Sequence, residues 1–530
     1  MSTLAGTSQL IGLVLKRDLG RLIAWILVLA GFPIITANAL LELYGAPSAR
    51  ADLIATFGSN PAYSALLGPI YDSSIGALTA WRIGVIGSVL VALMAIFMVI
   101  RHTRDEEEAG RQELLGATVV GRHAPLTAAM SVVVGAGFII GTLLTVGLAG
   151  LGLEISGAFA YGAGVAALTA VFVALGGVVA QLTSSGGAAR GLGVGILGVA
   201  FLLRAAGDAT AAEVLGWISP IGWFTRLRPF AGERWWVLGL SIGLAIVVAA
   251  SAYLLASRRD LGAGVLPTRI GPGEAAEGLR NATGLAWRLQ RAAMLGWSLG
   301  VAVLAAVYGT VADNVDEIFG GNPELADAFA LLGGADRLTD TFFSVTASVL
   351  ALVTAAYSIR TALRLRAEEE ALRAEPVLIT SVARWRWMGS HLLFAFIGPA
   401  LMLLIGGLVM GATYGSAVGD FDGELPRLIA VTLAQLPAVW VLTGATAALF
   451  GLLPRLTEFA WGLLVALLFL GQVGQILRFP HWLLNLSPFT HTAGLTLENL
   501  QVLPIAVLVA LSAFLAVIGF AAFRHRDVIP

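Results

Sequence analysis

No cysteine occurs in this 530-residue chain, which excludes disulfides and thiolate metal sites. Lysine is nearly absent as well. Of 32 basic residues only Lys16 is a lysine, and the rest are arginine. A phosphate loop of the Walker A type needs a lysine followed by serine or threonine in a glycine-rich turn. Lys16 is followed by Arg17 and sits in no such turn, so the chain cannot hold a nucleotide in that way. Charge of either sign is scarce: 12% of residues are charged and 58% hydrophobic, whereas soluble domains carry about 25% charged residues. The long apolar runs hold no clear carboxylate except Glu42, which argues against proton relays. His481 and His491 lie too far apart to suggest a metal site, and His391 reads as a packed side chain. No paired carboxylates, ligand cluster or nucleophile triad supports a membrane enzyme.

What remains is long apolar segments. About 20 apolar residues span a bilayer as a helix. The expected fold is therefore an all-α polytopic membrane protein of about 12 transmembrane helices. Six spans fall near 22–43, 82–100, 124–148, 159–182, 191–206 and 235–256. Six more fall near 289–311, 341–362, 387–412, 427–451, 459–477 and 503–523. Residues 4–20 read as an amphipathic interfacial helix, and 45–80, with Pro47, Pro61 and Pro69, as a loop. Ala37-Asn38-Ala39 resembles a signal cleavage site, but the apolar run before it is too long for one. The domain reading is a first repeat over 1–256, a cytoplasmic linker over 257–286 and a second repeat over 287–530.

The two halves are related. Arg104, Glu106, Glu107, Glu108, Ala109, Arg111 and Glu113 each meet an identical residue 262 positions on, in Arg366, Glu368, Glu369, Glu370, Ala371, Arg373 and Glu375. Thr118, Val120 and Arg122 extend the match to Thr380, Val382 and Arg384, so ten of 19 ungapped positions agree, which points to an internal duplication. Asn60-Pro61 with Asn322-Pro323, Ser219-Pro220 with Ser487-Pro488, and Arg259-Asp260 with Arg526-Asp527 echo it. Equal numbers of spans make the repeats parallel. With the N-terminus inside, 23 of the 32 basic residues are cytoplasmic, as are both termini and both charge runs. Each run has strong helix-forming composition, and Glu107 to Arg111 and Glu369 to Arg373 are spaced as i,i+4 pairs. A short exposed helix offering a docking face to a soluble partner is expected at each.

Glu106-Glu107-Glu108-Ala109-Gly110-Arg111-Gln112-Glu113-Leu114-Leu115 with Val119-Val120-Gly121-Arg122 resembles the coupling-helix signature of ABC type-two exporter permeases. The nearest group is the fused two-repeat permeases of high-GC Gram-positive bacteria, the actinobacterial tetronasin-type or multidrug efflux permeases. Ala231-Gly232-Glu233-Arg234-Trp235-Trp236, Gln435-Leu436-Pro437-Ala438-Val439-Trp440 and Asn485-Leu486-Ser487-Pro488-Phe489 match in the same order. The resemblance implies a permease subunit in the bacterial plasma membrane that has no cofactor of its own. Two copies of a separate ABC ATPase would bind ATP and Mg. The exported compounds would be lipophilic small molecules, and no nucleic-acid partner is expected. It further implies connecting helices over 4–20 and 279–291, and segments 207–234 and 478–502 dipping into the outer leaflet. In the second run Leu372 replaces Gly110 and Pro376-Val377 replaces Leu114-Leu115, so a helix ending early at the proline and unequal coupling are expected.

Asn38, Gln181, Gln435, Gln472 and Gln475 are polar positions within spans, suited to interhelical hydrogen bonds. In the related family the first, second and fifth spans of each half line the cavity, which makes Phe32, Phe342, Phe343, Gln472 and Gln475 candidates for a substrate path. The competing class is a proton-coupled secondary transporter of the major facilitator type, also six plus six. The missing intramembrane carboxylates and the Glu-rich run after span 2 count against it.

Overall fold

The computed structural model describes residues 2–58, 61–112, 119–210, 212–260, 262–266, 273–274, 276–279, 281–315, 338–472, 480–492 and 502–527. They form helices joined by short turns, with no strand among them. The chain divides into two compact units, Met1–Ile270 and Gly271–Pro530.

The first unit contains α1 (Thr7–Leu43), α2 (Pro47–Phe57), α3 (Pro61–Leu67), α4 (Ile75–His102), α5 (Arg104–Glu108), α6 (Ala124–Gly150), α7 (Ile155–Leu182), α8 (Gly186–Ala209), α9 (Glu213–Ile218), α10 (Pro220–Arg226) and α11 (Trp236–Arg258). Helices α4 and α7 are apolar on nearly every face and fill the centre of the unit, as helices buried all round must. Their core includes Ile96, Val99, Ile100, Tyr161 and Phe172. The starts of these helices follow from capping chemistry. Ser74 accepts the Ala77 N–H ahead of α4, Ser185 the Ala188 N–H ahead of α8, and Ser219 the Gly222 N–H ahead of α10.

The second unit contains α12 (Ala282–Val311), α13 (Leu338–Glu370), α14 (Ala374–Leu378), α15 (Arg384–Val418), α16 (Phe421–Leu433), α17 (Leu436–Leu452), α18 (Phe459–Gln472), α19 (His481–Leu484) and α20 (Val502–His525). Here α13 takes the central place, against α15 and α17. Helix α12 is capped by Asn281, whose carbonyl accepts the Gly284 N–H.

Eleven helical stretches among the described residues are long and apolar enough to cross a membrane, with α16 and α17 counted together as one. The described part of the expected eleventh span is α18, with 14 residues, too short to count among them; residues 473–477 of that span lie outside the described residues. The expected division between 4–20 and 22–43 holds: α1 is two helical stretches that meet at a kink at Asp18, whose φ of −120° and ψ of 20° are not helical. Several other boundaries differ from expectation. The segment 279–291 is mostly the opening of the 30-residue α12. The segment 45–80 is not simply a loop, since Pro47 and Pro61 open α2 and α3. Proline is well placed there, because the first N–H groups of a helix have no intrahelical partner. Helices α16 and α17 replace one continuous span, with Gln435 buried at the break and exchanging hydrogen bonds with Thr492.

Helices α17 and α20 approach most closely through glycine. A Cβ on Gly519 would lie 2.4 Å from the Ala447 carbonyl oxygen, and one on Gly451 2.3 Å from that of Gly519. Small residues permit such contact between membrane helices. Gly519→Val is expected to destabilise the fold by about 1–3 kcal/mol through overpacking, read as a lower melting temperature in detergent. Gly296→Ala, inside α12 with nothing within 4 Å of the new Cβ, should keep or slightly raise the melting temperature, because alanine favours helix over glycine.

Candidate functional site

Helix α4 ends at His102, and after Thr103 the chain restarts as the five-residue α5. Asp105, Glu106, Glu107 and Glu108 then each find a partner on a different element. Asp105 pairs with Arg190 of α8 at 2.7 Å. Glu106 receives Arg111 at 2.6 Å and Arg17 of α1 at 2.5 Å. Glu108 accepts the N–H of Gly186 at 2.9 Å, at the positive end of α8. Gly186 has no side chain for a steric reason: a Cβ there would run into the Asp105 carboxylate.

Glu107 turns inward. It lies between the guanidinium groups of Arg104, in its own turn, and Arg259, just past α11. Arg259 Nη1 donates to Glu107 at 2.9 Å, and its Nε donates to Gln181 at 2.6 Å. Arg104 is 1% exposed and also donates to the carbonyls of Thr183 and Ala263, the latter at 2.8 Å. A buried charge survives only when paired and hydrogen-bonded, and this group meets that condition by recruiting three stretches of chain. The neighbouring Asp18, buried at the α1 break, accepts from Arg101 at 2.9 Å and Arg21 at 2.5 Å and lies 3.1 Å from His102.

The second run repeats the plan with changes. Glu368 receives Arg373 at 2.8 Å and Arg364 at 2.7 Å. Glu369, buried, pairs with Arg526 just past α20, and Arg366 lies 3.6 Å away. Arg526 also donates to the Phe450 carbonyl at 2.6 Å and stacks over the Phe450 and Phe523 rings. Arg122 donates to the Arg259 carbonyl at 2.9 Å, and its repeat partner Arg384 donates to the Arg526 carbonyl at 2.5 Å. Thus Glu107, Arg259 and Arg122 in one unit match Glu369, Arg526 and Arg384 in the other.

The expected i,i+4 pairs are not formed. Arg111 reaches Glu106 rather than Glu107, and Arg373 reaches Glu368 rather than Glu369. The reason is local: such pairs need unbroken helix, but α5 stops at Glu108 and α13 at Glu370. Gly110 at φ 69° and Leu372 at φ 56° then take the left-handed conformation, which swings each arginine back over the preceding turn. The exposed docking helix is corrected accordingly. Arg104, Glu368 and Glu369 are buried and Glu107 nearly so, while Glu108, Arg111, Glu370, Arg373 and Glu375 are exposed. Pro376 does not end a helix either, because α13 has already stopped and the proline lies in the first turn of α14. The Glu106 hydrogen bond holds the Arg111 guanidinium above its ordinary pKa.

Other candidates scatter. Glu113 and Gln475 lie outside the described residues, as does the side chain of Gln472 at the end of α18. Phe32 is exposed on α1. Phe342 and Phe343 are buried on α13, Phe343 against Tyr414 with the Arg427 guanidinium 5.5 Å from its ring. His391 is packed, 3.0 Å from Gln290 and against Trp387. The apolar runs are less free of charge than expected. Asp208, near the end of α8, is buried between Arg204 at 3.3 Å and Arg226 at 3.0 Å. Arg204 also donates to the Ala65 carbonyl at 2.7 Å, at the end of α3. Its i,i+4 spacing from Asp208 is the sequence signal for this pair. Asp18 carried a comparable one, as the first carboxylate of a basic segment.

Eleven candidate spans in two units, each closed by a buried carboxylate under a charged turn, define a polytopic α-helical membrane protein with duplicated solvent-facing turns. Over 529 residues, 99% of this chain and 96% of the relative, it is 41% identical to the "Multidrug efflux system permease protein Rv1217c" of Mycobacterium tuberculosis (strain ATCC 25618 / H37Rv). Residues 279–524 match the family model described as "Multidrug efflux system permease Rv1217c, C-terminal domain". The chain belongs to this multidrug efflux permease family.

Breaking a buried ion pair costs about 3–5 kcal/mol, whereas a surface pair contributes about 0–1 kcal/mol. Glu107→Gln is therefore expected to lower the melting temperature sharply and Arg111→Ala hardly at all; equal effects would contradict the buried clamp. A left-handed conformation costs a residue with a Cβ about 1–2 kcal/mol. Leu372→Gly should raise the melting temperature, and Gly110→Leu should lower it.

Proposed function

We propose that this chain is the membrane permease subunit of an ATP-driven exporter, coupled to two copies of a separate ABC ATPase and moving lipophilic or amphipathic compounds out of the cell. The chain sits in the bacterial plasma membrane with its termini and both charged turns in the cytoplasm. The observation that carries this reading is the fastening of each turn. A push from a soluble partner produces movement in the membrane only if the pushed element is stiff. Glu107 joins α5 to Arg259, and Glu369 joins the end of α13 to Arg526. A force on either turn is thereby shared with the last span of its unit. Arg111, Glu370, Arg373 and Glu375 remain outward for contact with the partner. Hydrolysis belongs to that partner, since the chain offers no Walker A lysine.

The test is co-purification with an ABC ATPase co-expressed from the same genome, followed by ATP hydrolysis and dye efflux in proteoliposomes. Arg111→Ala combined with Glu370→Ala, both exposed with surface pairs only, is expected to cut coupled efflux at least tenfold while leaving the melting temperature of the permease alone nearly unchanged. Undiminished efflux from that variant would sink the docking assignment. Transport by the permease alone, driven by a proton gradient and indifferent to ATP, would replace the whole reading with the facilitator one.

A further inference from the structure

A cavity of about 630 Å³ lies in the first unit between α6, α7 and α11. It is of the size that holds small-molecule ligands, roughly 300–1,000 Å³. All three helices are candidate membrane spans. Along α6 the lining runs from Met130 to Val146, about 24 Å at 1.5 Å per residue, so the space is a long channel rather than a round pocket. It opens sideways, past Phe138, Val146, Ile242 and Ile246, which are lining residues and exposed. On membrane-spanning helices that side faces hydrocarbon.

The wall chemistry narrows the occupant. No charged residue lines the cavity, and its only hydroxyls belong to Thr142 and Thr145. Both hydroxyl protons are already given to helix carbonyls: Thr142 to Phe138 at 2.9 Å, and Thr145 to Gly141 at 2.9 Å. A polar ligand therefore finds neither a free donor nor a charge. The floor is fixed, because α6 and α7 touch through backbone: a Cβ on Gly141 would lie 2.5 Å from the Gly162 oxygen. One end is closed by Phe159, whose ring packs 5.8 Å from Trp235. Tryptophan gathers at membrane–water boundaries, which puts that end at headgroup depth and the rest in the acyl region.

We infer that this channel holds one acyl chain of a membrane phospholipid, with the headgroup at the Trp235 end. The site is a fixed lipid seat, distinct from the passing lipids that coat the other spans. The occupant is a lipid rather than an exported compound because the channel is reached from the bilayer and has the extended shape and length of an acyl chain.

The test uses the full chain in nanodiscs of phosphatidylglycerol carrying a diazirine at mid-chain. After irradiation, mass spectrometry locates the label. At least fivefold more label on the peptides bearing Phe138 and Ile242 than on that bearing Val199, an exposed residue of α8 outside the channel, is expected. Ala170→Phe with Ala249→Phe, both lining positions, should abolish this excess and leave the Val199 label unchanged. If that pair fails to fold, Ala170→Leu alone should reduce the excess at least twofold. Even labelling of all spans, or an excess that survives the filled channel, would mean ordinary annular lipid and overturn the proposal. Displacement of the label by a lipophilic cationic dye, with lipid in large excess, would also overturn it and assign the channel to the exported compound.

Discussion

A carboxylate removed from water at the edge of a membrane domain must be neutralised by a partner held in place. In the first unit this carboxylate is Glu107, fixed between Arg104 and Arg259. Much else follows from satisfying it. Arg104 needs further acceptors and draws in the carbonyls of Thr183 and Ala263. Arg259 needs Gln181, which fixes the end of α7. Arg122 then reads the backbone of Arg259 itself. The turn is rigid because one buried negative charge obliges several strands of chain to converge. Coulomb attraction within each exposed pair is weak by comparison, and water screens it.

The duplication preserves this constraint and lets its surroundings drift. Glu369, Arg526 and Arg384 reproduce the buried carboxylate, its cation and the arginine that reads the backbone. The outer pairs differ. Glu106 is shared between Arg111 and Arg17 of α1, whereas Glu368 is shared between Arg373 and Arg364 of its own helix. The first turn is therefore wired to the N-terminal helix, and the second to the span that carries it. The first turn restarts after Thr103, while the second continues α13 without a break. Leu372 keeps the left-handed geometry of Gly110 despite its side chain, which shows how strongly the surrounding contacts impose that bend.

Much of the fold was legible because apolar run length and arginine placement follow directly from bilayer thickness and charge cost. The twofold repeat was legible because the charge runs match without a gap. The pairing inside the runs was not. Helix spacing suggests Glu107 with Arg111, but the left-handed residue at Gly110 turns Arg111 back to Glu106, and composition gives no sign that Leu372 is forced into the same conformation. Burial of Arg104 was equally hidden, since its acceptors are main-chain carbonyls about 80 and 160 residues away, and sequence patterns carry no information on them. The prolines at 47 and 61 were read as loop markers although the same residues are favoured at helix starts. Of the partners of Asp18 only Arg21 is local; Arg101 and His102 come from α4, which no spacing in α1 shows.

The separation of the clamp partners along the chain has a consequence for biosynthesis. Glu107 and Arg259 are 152 residues apart, and Glu369 and Arg526 are 157 apart. At about 5–20 residues per second of translation, each carboxylate waits on the order of ten to thirty seconds for its cation to be made. In that interval the remaining spans of the same unit are inserted. Until the arginine after the last span is made, the buried pair cannot form. Each unit thus carries a signal of its own completeness, set by the final helix to leave the ribosome.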